Sequence, residues 1–172
     1  MIDIRKANEK DTKVLALLGR ITYTESHGIY IRNDEDLKKY NEETFSVSTI
    51  ERALRDENNL FYIMHLNELP IGYAKLILNA NHESLSSNNN CRLDKIYLLN
   101  DYIKLKLGQQ LLDFICSEAL QIGVNTIWLV VYYKNQHAIQ FYLKNQFEEV
   151  TEIDFFVNGE KYRNLIIQKT LR

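Results

Sequence analysis

A mixed α/β domain, with a mostly antiparallel central sheet and helices on its faces, is the fold class this sequence predicts. Three observations predict it. Helix-period apolar spacing dominates residues 12–55, β-branched and aromatic runs split by turn residues follow, and the second half alternates apolar runs with amphipathic segments. The 172 residues, 45% of them hydrophobic, suffice for one buried core and fit a single domain over 1–172, within the usual ~100–200.

Residues 2–5 alternate apolar and polar, as a short strand does. Asp11 and Thr12 then stand where they can cap a helix carrying Val14, Leu15, Leu17, Leu18 and Ile21 as far as Gly28. Two shorter helices are expected over 34–40 and 48–55, the second opened by Ser48-Thr49-Ile50-Glu51, which has the form of a capping box. Runs 60–66 and 71–78 flank Asn67-Glu68-Leu69-Pro70 and predict a hairpin. The Ser/Asn-rich stretch 81–90 reads as a solvated loop. Next come a strand over 92–99 and an amphipathic helix over 107–122, with Leu107, Leu111, Phe114, Ile115 and Ala119 on one side. The almost continuously apolar run 124–132 has the pattern of a strand buried on both faces. A helix over 135–145 leads into strands at 147–157 and 162–170, joined by Asn158-Gly159.

Charge and cysteine usage exclude several classes. Lys and Arg number 21 against 23 Asp and Glu, and the formal charge of −2 gives no long-range attraction for nucleic acid or an anionic membrane. The 11 Tyr and 7 Phe fall mostly inside strand runs, where core packing accounts for them better than base stacking. Apolar stretches break well short of the ~18 residues of a membrane span, and the N-terminus has no signal-like run, so a cytoplasmic protein is expected. Cys91 and Cys116 have neither metal-ligand spacing nor a disulfide-framework count, so no metal is expected.

Three segments carry chemistry. The first is Leu93-Asp94-Lys95-Ile96-Tyr97-Leu98-Leu99-Asn100-Asp101-Tyr102, a strand and its exit. The second is the strand-to-helix turn Ile103-Lys104-Leu105-Lys106-Leu107-Gly108-Gln109, where a row of backbone N–H groups at a helix N-terminus can face an anion. The third runs from Tyr133 through Asn135, Ala138, Phe141 and Tyr142 to Phe147. Together they resemble the GNAT superfamily of acyl-CoA-dependent N-acyltransferases over essentially the whole chain. Segments 22–28 and 69–76 are similar to its polyamine N-acetyltransferase-like PaiA branch.

The resemblance implies a GNAT-like sheet with a splayed strand pair and acetyl-CoA as cosubstrate. It implies that Ile96, Tyr97 and Leu98 hold the acyl-pantetheine arm, that Lys104, Leu105, Lys106, Leu107, Gly108 and Gln109 face the pyrophosphate, and that Asn135 bonds the arm. Tyr142 takes the place of the acid that protonates the leaving thiolate, and the amide of Leu98 or a neighbour polarises the carbonyl. Glu25, His27 and Asp94 fall on the acceptor side without any one of them standing out as a base, and a water chain serves as well. The acceptor implied is a primary amine: a polyamine, a small amine or a peptide N-terminus. A homodimer is compatible with the pattern.

The turn departs from the family's Q/R-x-x-G-x-G/A. Ile103 stands for Gln or Arg, Lys106 for the first Gly, and later Gln146 for the Gly before Phe147. Amides do not depend on side-chain identity, and Lys104 and Lys106 either add positive charge or are solvated lysines at a helix start. An alternative follows from these losses: a non-catalytic ligand-binding or regulatory domain with weakened acyl-CoA binding.

Overall fold

The computed structural model describes every residue except Arg32, Asn158, Gly159 and Arg172. Seven strands are hydrogen-bonded in the order β1-β2-β3-β4-β5-β7-β6. They are β1 (Ile2–Lys6), β2 (Asn59–Leu66), β3 (Leu69–Leu78), β4 (Asn90–Leu98), β5 (Thr126–Tyr132), β6 (Glu148–Val157) and β7 (Glu160–Thr170). The helices are α1 (Thr12–His27), α2 (Asp34–Thr44), α3 (Val47–Arg55), α4 (Asn100–Ile103), α5 (Leu107–Gln121) and α6 (Gln136–Lys144). The β1–β2, β5–β7 and β6–β7 pairs are antiparallel and β4–β5 is parallel. The chain folds as two compact units, Met1–Leu76 with Lys95–Ile115, and Ile77–Asp94 with Cys116–Arg172.

In the first unit, Leu15 and Leu18 of α1, Ile50 of α3, Phe61 and Ile63 of β2, and Tyr73 of β3 form one buried cluster around Phe45. Tyr62, between Phe61 and Ile63, faces the other way and meets the Phe114 ring of α5 edge-on at 5.6 Å. Period-two alternation therefore puts α1 and α3 on one face of β2 and α5 on the other. The β2–β3 turn is tighter than expected. Asn67 and Glu68 alone make it, at φ +48° and +70°, the signature of a two-residue hairpin turn, and Pro70 lies inside β3 near its start.

Two caps differ from expectation. Asp11 stands at the start of α1 but makes no side-chain cap bond there; its carboxylate receives Arg5 at 2.7 and 2.8 Å and the Asn8 amide at 2.9 Å. That guanidinium holds the Asp11 carboxyl below the usual carboxylate range. At α3 the cap is Ser46, not Ser48, with Oγ accepting the Thr49 amide at 3.1 Å.

In the second unit, β5 is buried over almost its whole length, as its apolar run predicts, and pairs with β7 from Thr126↔Thr170 to Tyr132↔Asn164. The stretch after β3 is not merely a solvated loop. Leu85 is buried against Trp128 and Ile166, and the Trp128 indole donates to the Ala80 carbonyl at 2.7 Å. β6 and β7 pair as far as Val157↔Glu160; the Asn158-Gly159 turn lies outside the described residues.

Candidate active site

The β4–β5 ladder, the pair expected to splay, covers three residues on each strand, Asn90 to Arg92 with Thr126 to Trp128, although β4 runs on to Leu98 and β5 to Tyr132. β4 is buried at Asn90, Cys91 and Leu93, then half-buried from Asp94 through Leu98 despite the apolar Ile96 and Leu98. The Leu99 amide donates to the Ile71 carbonyl of β3 at 2.9 Å. Successive N–H groups of a strand point to opposite sides, so those of Ile96 and Leu98 point away from β3. The Tyr97 carbonyl faces β3, where a Cβ on Gly72 would collide with it. Sequence reasoning grouped Ile96, Tyr97 and Leu98 together; the backbone separates Tyr97 from the other two.

Beyond β4 the one-turn helix α4 leads to Lys104, Leu105 and Lys106, all exposed, and then to α5, where Leu107 is buried and Gly108 and Gln109 half-buried. Lys106 has φ +59°. A lysine thus adopts the left-handed conformation that glycine favours, at a cost of roughly 1–2 kcal/mol. The first amides of α5 have no intrahelical acceptor, and the dipole of this 15-residue helix makes its start electropositive.

An aromatic array lies against this end of β4. The Tyr23 ring stacks on His27 at 4.5 Å between centroids and on Tyr40 at 4.2 Å, and His27 meets the edge of Tyr97 at 5.8 Å. Lys95 lies over the Phe45 ring at 5.7 Å. Burial first, and then Lys95, pull the His27 pKa down to about 4, so its imidazole is neutral near pH 7. Glu25 is committed elsewhere, accepting the Asn100 amide at 2.9 Å. The i, i+4 spacing of Tyr23 and His27 was the signal that could have revealed the stack.

The other two predicted residues, Asn135 and Tyr142, belong to the second unit. Asn135 is the N-cap of α6, its Oδ1 accepting the Ala138 amide at 3.2 Å, which leaves the two Nδ2 donors to other partners. Tyr142 is buried, with its ring between Phe141 and Phe147, each 5.4 Å away. Burial raises its phenol pKa above the ordinary value, so it keeps its proton at any physiological pH. Gln146 has φ +66°, again where glycine was expected.

Other candidates are occupied by structural roles. Asp94 pairs with Arg92 at 3.5 Å. Cys91 is buried, which pushes its thiol up to about 12, so it is no nucleophile. Among the described residues no group of His, Cys, Asp and Glu could hold a metal ion, and no helix is long and apolar enough to cross a membrane.

The model of the Acetyltransferase (GNAT) family matches residues 25–147. An N-acetyltransferase of the pepI 3′ region of Lactobacillus delbrueckii subsp. lactis is 22% identical over 170 residues, spanning 99% of this chain and 98% of its own. The PaiA N-acetyltransferase from Thermoplasma acidophilum, solved in complex with coenzyme A, superposes with a TM-score of 0.77 at 21% identity over 99% of each chain. The ribosomal-protein-S18-alanine N-acetyltransferase from Escherichia coli does so with a TM-score of 0.73 at 18% identity, over 99% of this chain and 94% of its own. At such identities the structural likeness speaks for the fold.

Proposed function

The chain belongs to the GNAT acetyltransferase family of acyl-CoA-dependent N-acetyltransferases, and on that premise we propose that residues 1–172 form one cytoplasmic domain that moves an acetyl group from acetyl-CoA directly to a primary amine. The observation that carries this reading is the backbone at Lys106. With φ +59° immediately before α5, the turn keeps the conformation a glycine would give it, and the amides of residues 106–109 are set as an anion-binding nest despite the changed side chain. The non-catalytic alternative drew its motive from the lost glycines. Lys106 and Gln146 both hold left-handed backbone, which removes most of that motive.

The residues fit the cosubstrate. At Gly108 a Cβ would lie 3.7 Å from the Leu98 side chain, an ordinary contact, so protein packing does not itself demand glycine there, and the missing side chain leaves the backbone open to close approach of a ligand. In this reading the amides of Leu107, Gly108 and Gln109 bind the pyrophosphate while Lys104, Leu105 and Lys106 shape the turn and add charge. The N–H groups of Ile96 and Leu98, directed away from β3, hold the acyl arm. Asn135 adds a hydrogen bond through Nδ2.

Bound acetyl-CoA supplies an activated thioester. The Leu98 amide polarises the acyl carbonyl and stabilises negative charge developing on its oxygen. The C–N bond forms as the C–S bond breaks; Tyr142 gives its proton to sulfur, the amine's proton leaves to water, and water returns a proton to the Tyr142 phenolate. Polyamines, small amines and peptide N-termini are the acceptor classes for testing, and the Escherichia coli neighbour is by its name an N-acetyltransferase of an alanine of ribosomal protein S18. A homodimer through the edge strand β6 is compatible with this chemistry and not required by it.

The test is calorimetry with acetyl-CoA, followed by a screen of primary amines for coenzyme A release. Saturable binding with turnover of at least one amine is expected. No binding at millimolar acetyl-CoA overturns the reading.

A further inference from the structure

We propose that His27 is a further catalytic residue, its Nε2 accepting a hydrogen bond from the N–H of the acceptor amine and so orienting the attacking lone pair. This rests on the acetyl-transfer reading, and it assigns the residue that receives the acceptor.

The hydrogen bonds of Ser26 assign the tautomer. Ser26 Oγ lies 2.7 Å from the Thr22 carbonyl and 3.3 Å from that of Tyr23. Both are acceptors only, so the single hydroxyl proton of Ser26 is directed to the nearer one, Thr22. The same Oγ lies 2.7 Å from His27 Nδ1, and with its proton already given it serves there as acceptor. With the Ser26 proton so assigned, Nδ1 carries the imidazole hydrogen and Nε2 presents a lone pair. Among the described residues no hydrogen bond satisfies Nε2, although the ring is only partly exposed.

The ring is also fixed in position. Tyr23 lies nearly parallel to it, 6° between planes, and the Tyr97 edge abuts it. Tyr97 belongs to the β4 segment assigned to the acyl arm. Two residues earlier on α1, Glu25 is fastened to the Asn100 amide just past the end of β4, which ties the C-terminal turn of α1 to the same place. Burial and Lys95 keep the imidazole neutral, so the lone pair is available across the physiological range. This makes His27 a hydrogen-bond acceptor and not a strong proton sink; the proton still departs through water.

Two measurements test this. In long-range ¹⁵N–¹H NMR of the wild-type protein at pH 7, His27 should appear as the Nδ1–H tautomer, and n-propylamine added in the presence of coenzyme A should move its Nε2 signal. An Nε2–H tautomer, or no movement, overturns the proposal whether or not turnover has been found. For activity, n-propylamine, spermidine and a triglycine peptide serve as probe acceptors. His27→Phe keeps an aromatic ring against Tyr23 but removes the acceptor, and should lower kcat/KM about 10–100-fold for every probe the wild type acetylates, with acetyl-CoA affinity unchanged. His27→Gln, whose side-chain oxygen can stand in for Nε2, should recover most of the loss. Wild-type rates in His27→Phe overturn this role and leave the acetyl-transfer reading intact. Failure of the wild type to bind acetyl-CoA overturns both.

Discussion

Helices α5 and α6 end in the same way with different residues. After α5 the Gly123 amide donates to the Leu120 carbonyl at 3.0 Å and the Val124 amide to Ala119 at 3.0 Å, with Gly123 at φ +84°. After α6 the Gln146 amide donates to Leu143 at 3.1 Å and the Phe147 amide to Tyr142 at 3.1 Å, with Gln146 at φ +66°. Both are Schellman motifs with one left-handed residue. At α5 that residue is the glycine the motif prefers. At α6 it is a glutamine, carrying roughly 1–2 kcal/mol of backbone strain. What offsets the strain is the apolar contact that accompanies the motif: Phe147, 2% exposed, lies against Tyr142. A glycine in a family pattern thus states a backbone requirement, which packing can enforce on another residue. At α6 that packing also seats the proposed acid.

Substitutions can break this comparison, beginning with the largest effect. Tyr142→Phe keeps the ring and the helix end but removes the proton donor, so acetyl transfer should fall about 10²–10⁴-fold with little change in melting temperature or acetyl-CoA affinity. A collapse of all three would mean that α6 ends as it does for structure alone. Phe147→Ala removes the contact that enforces the Gln146 conformation and should cost about 3–5 kcal/mol in denaturant unfolding. Exchanging the two left-handed residues is a finer test. Gly123→Gln should destabilise by roughly 1–2 kcal/mol, having no matching aromatic contact to offset it, whereas Gln146→Gly should stabilise by up to about 1 kcal/mol. Equal and opposite shifts would show that the two ends differ only in which residue holds the left-handed position, and that the Phe147 contact offsets none of the strain. Lys106→Gly should have the smallest effect: the turn already has the glycine geometry, so only the ammonium is lost, and acetyl-CoA affinity should weaken about two- to fivefold at low salt and hardly at all at high salt.

Much of the fold was legible because local and tertiary demands agree. The run at β5 is apolar on both faces because both faces are covered, and α5 and α6 follow their apolar spacing closely, whereas α1 buries Leu15 and Leu18 and leaves Leu17 and Ile21 exposed. The reading missed where local rules tie. Ser46, Ser48 and Thr49 are all good caps, and the tertiary position of Phe45, buried beside Gly19, makes Ser46 the one that stands at the helix start. Leu85 was lost in a polar stretch because a single apolar residue carries no period; only Trp128 gives it a place. Asn135 and Tyr142 were legible as a spaced pair. The array of Ser26, His27 and Tyr97 was not, since it joins a helix to a strand far along the chain. Nor does any residue count disclose that Lys106 takes a left-handed φ, because dihedral angles are set by what surrounds the turn.

Trp128 is the chain's only tryptophan. Its indole is bonded to Ala80, flanked by His82 at 5.5 Å, overlain by Arg92 at 5.4 Å and sealed by Leu85. All of these belong to the second unit. Its emission is therefore a built-in fluorophore for one unit and silent about the other, shifting to longer wavelength when the stretch around Leu85 peels away. Helix content followed by circular dichroism draws instead on α1 to α3 as well. Two denaturation curves recorded on the same unlabelled sample would then show directly whether the two units melt in one cooperative step.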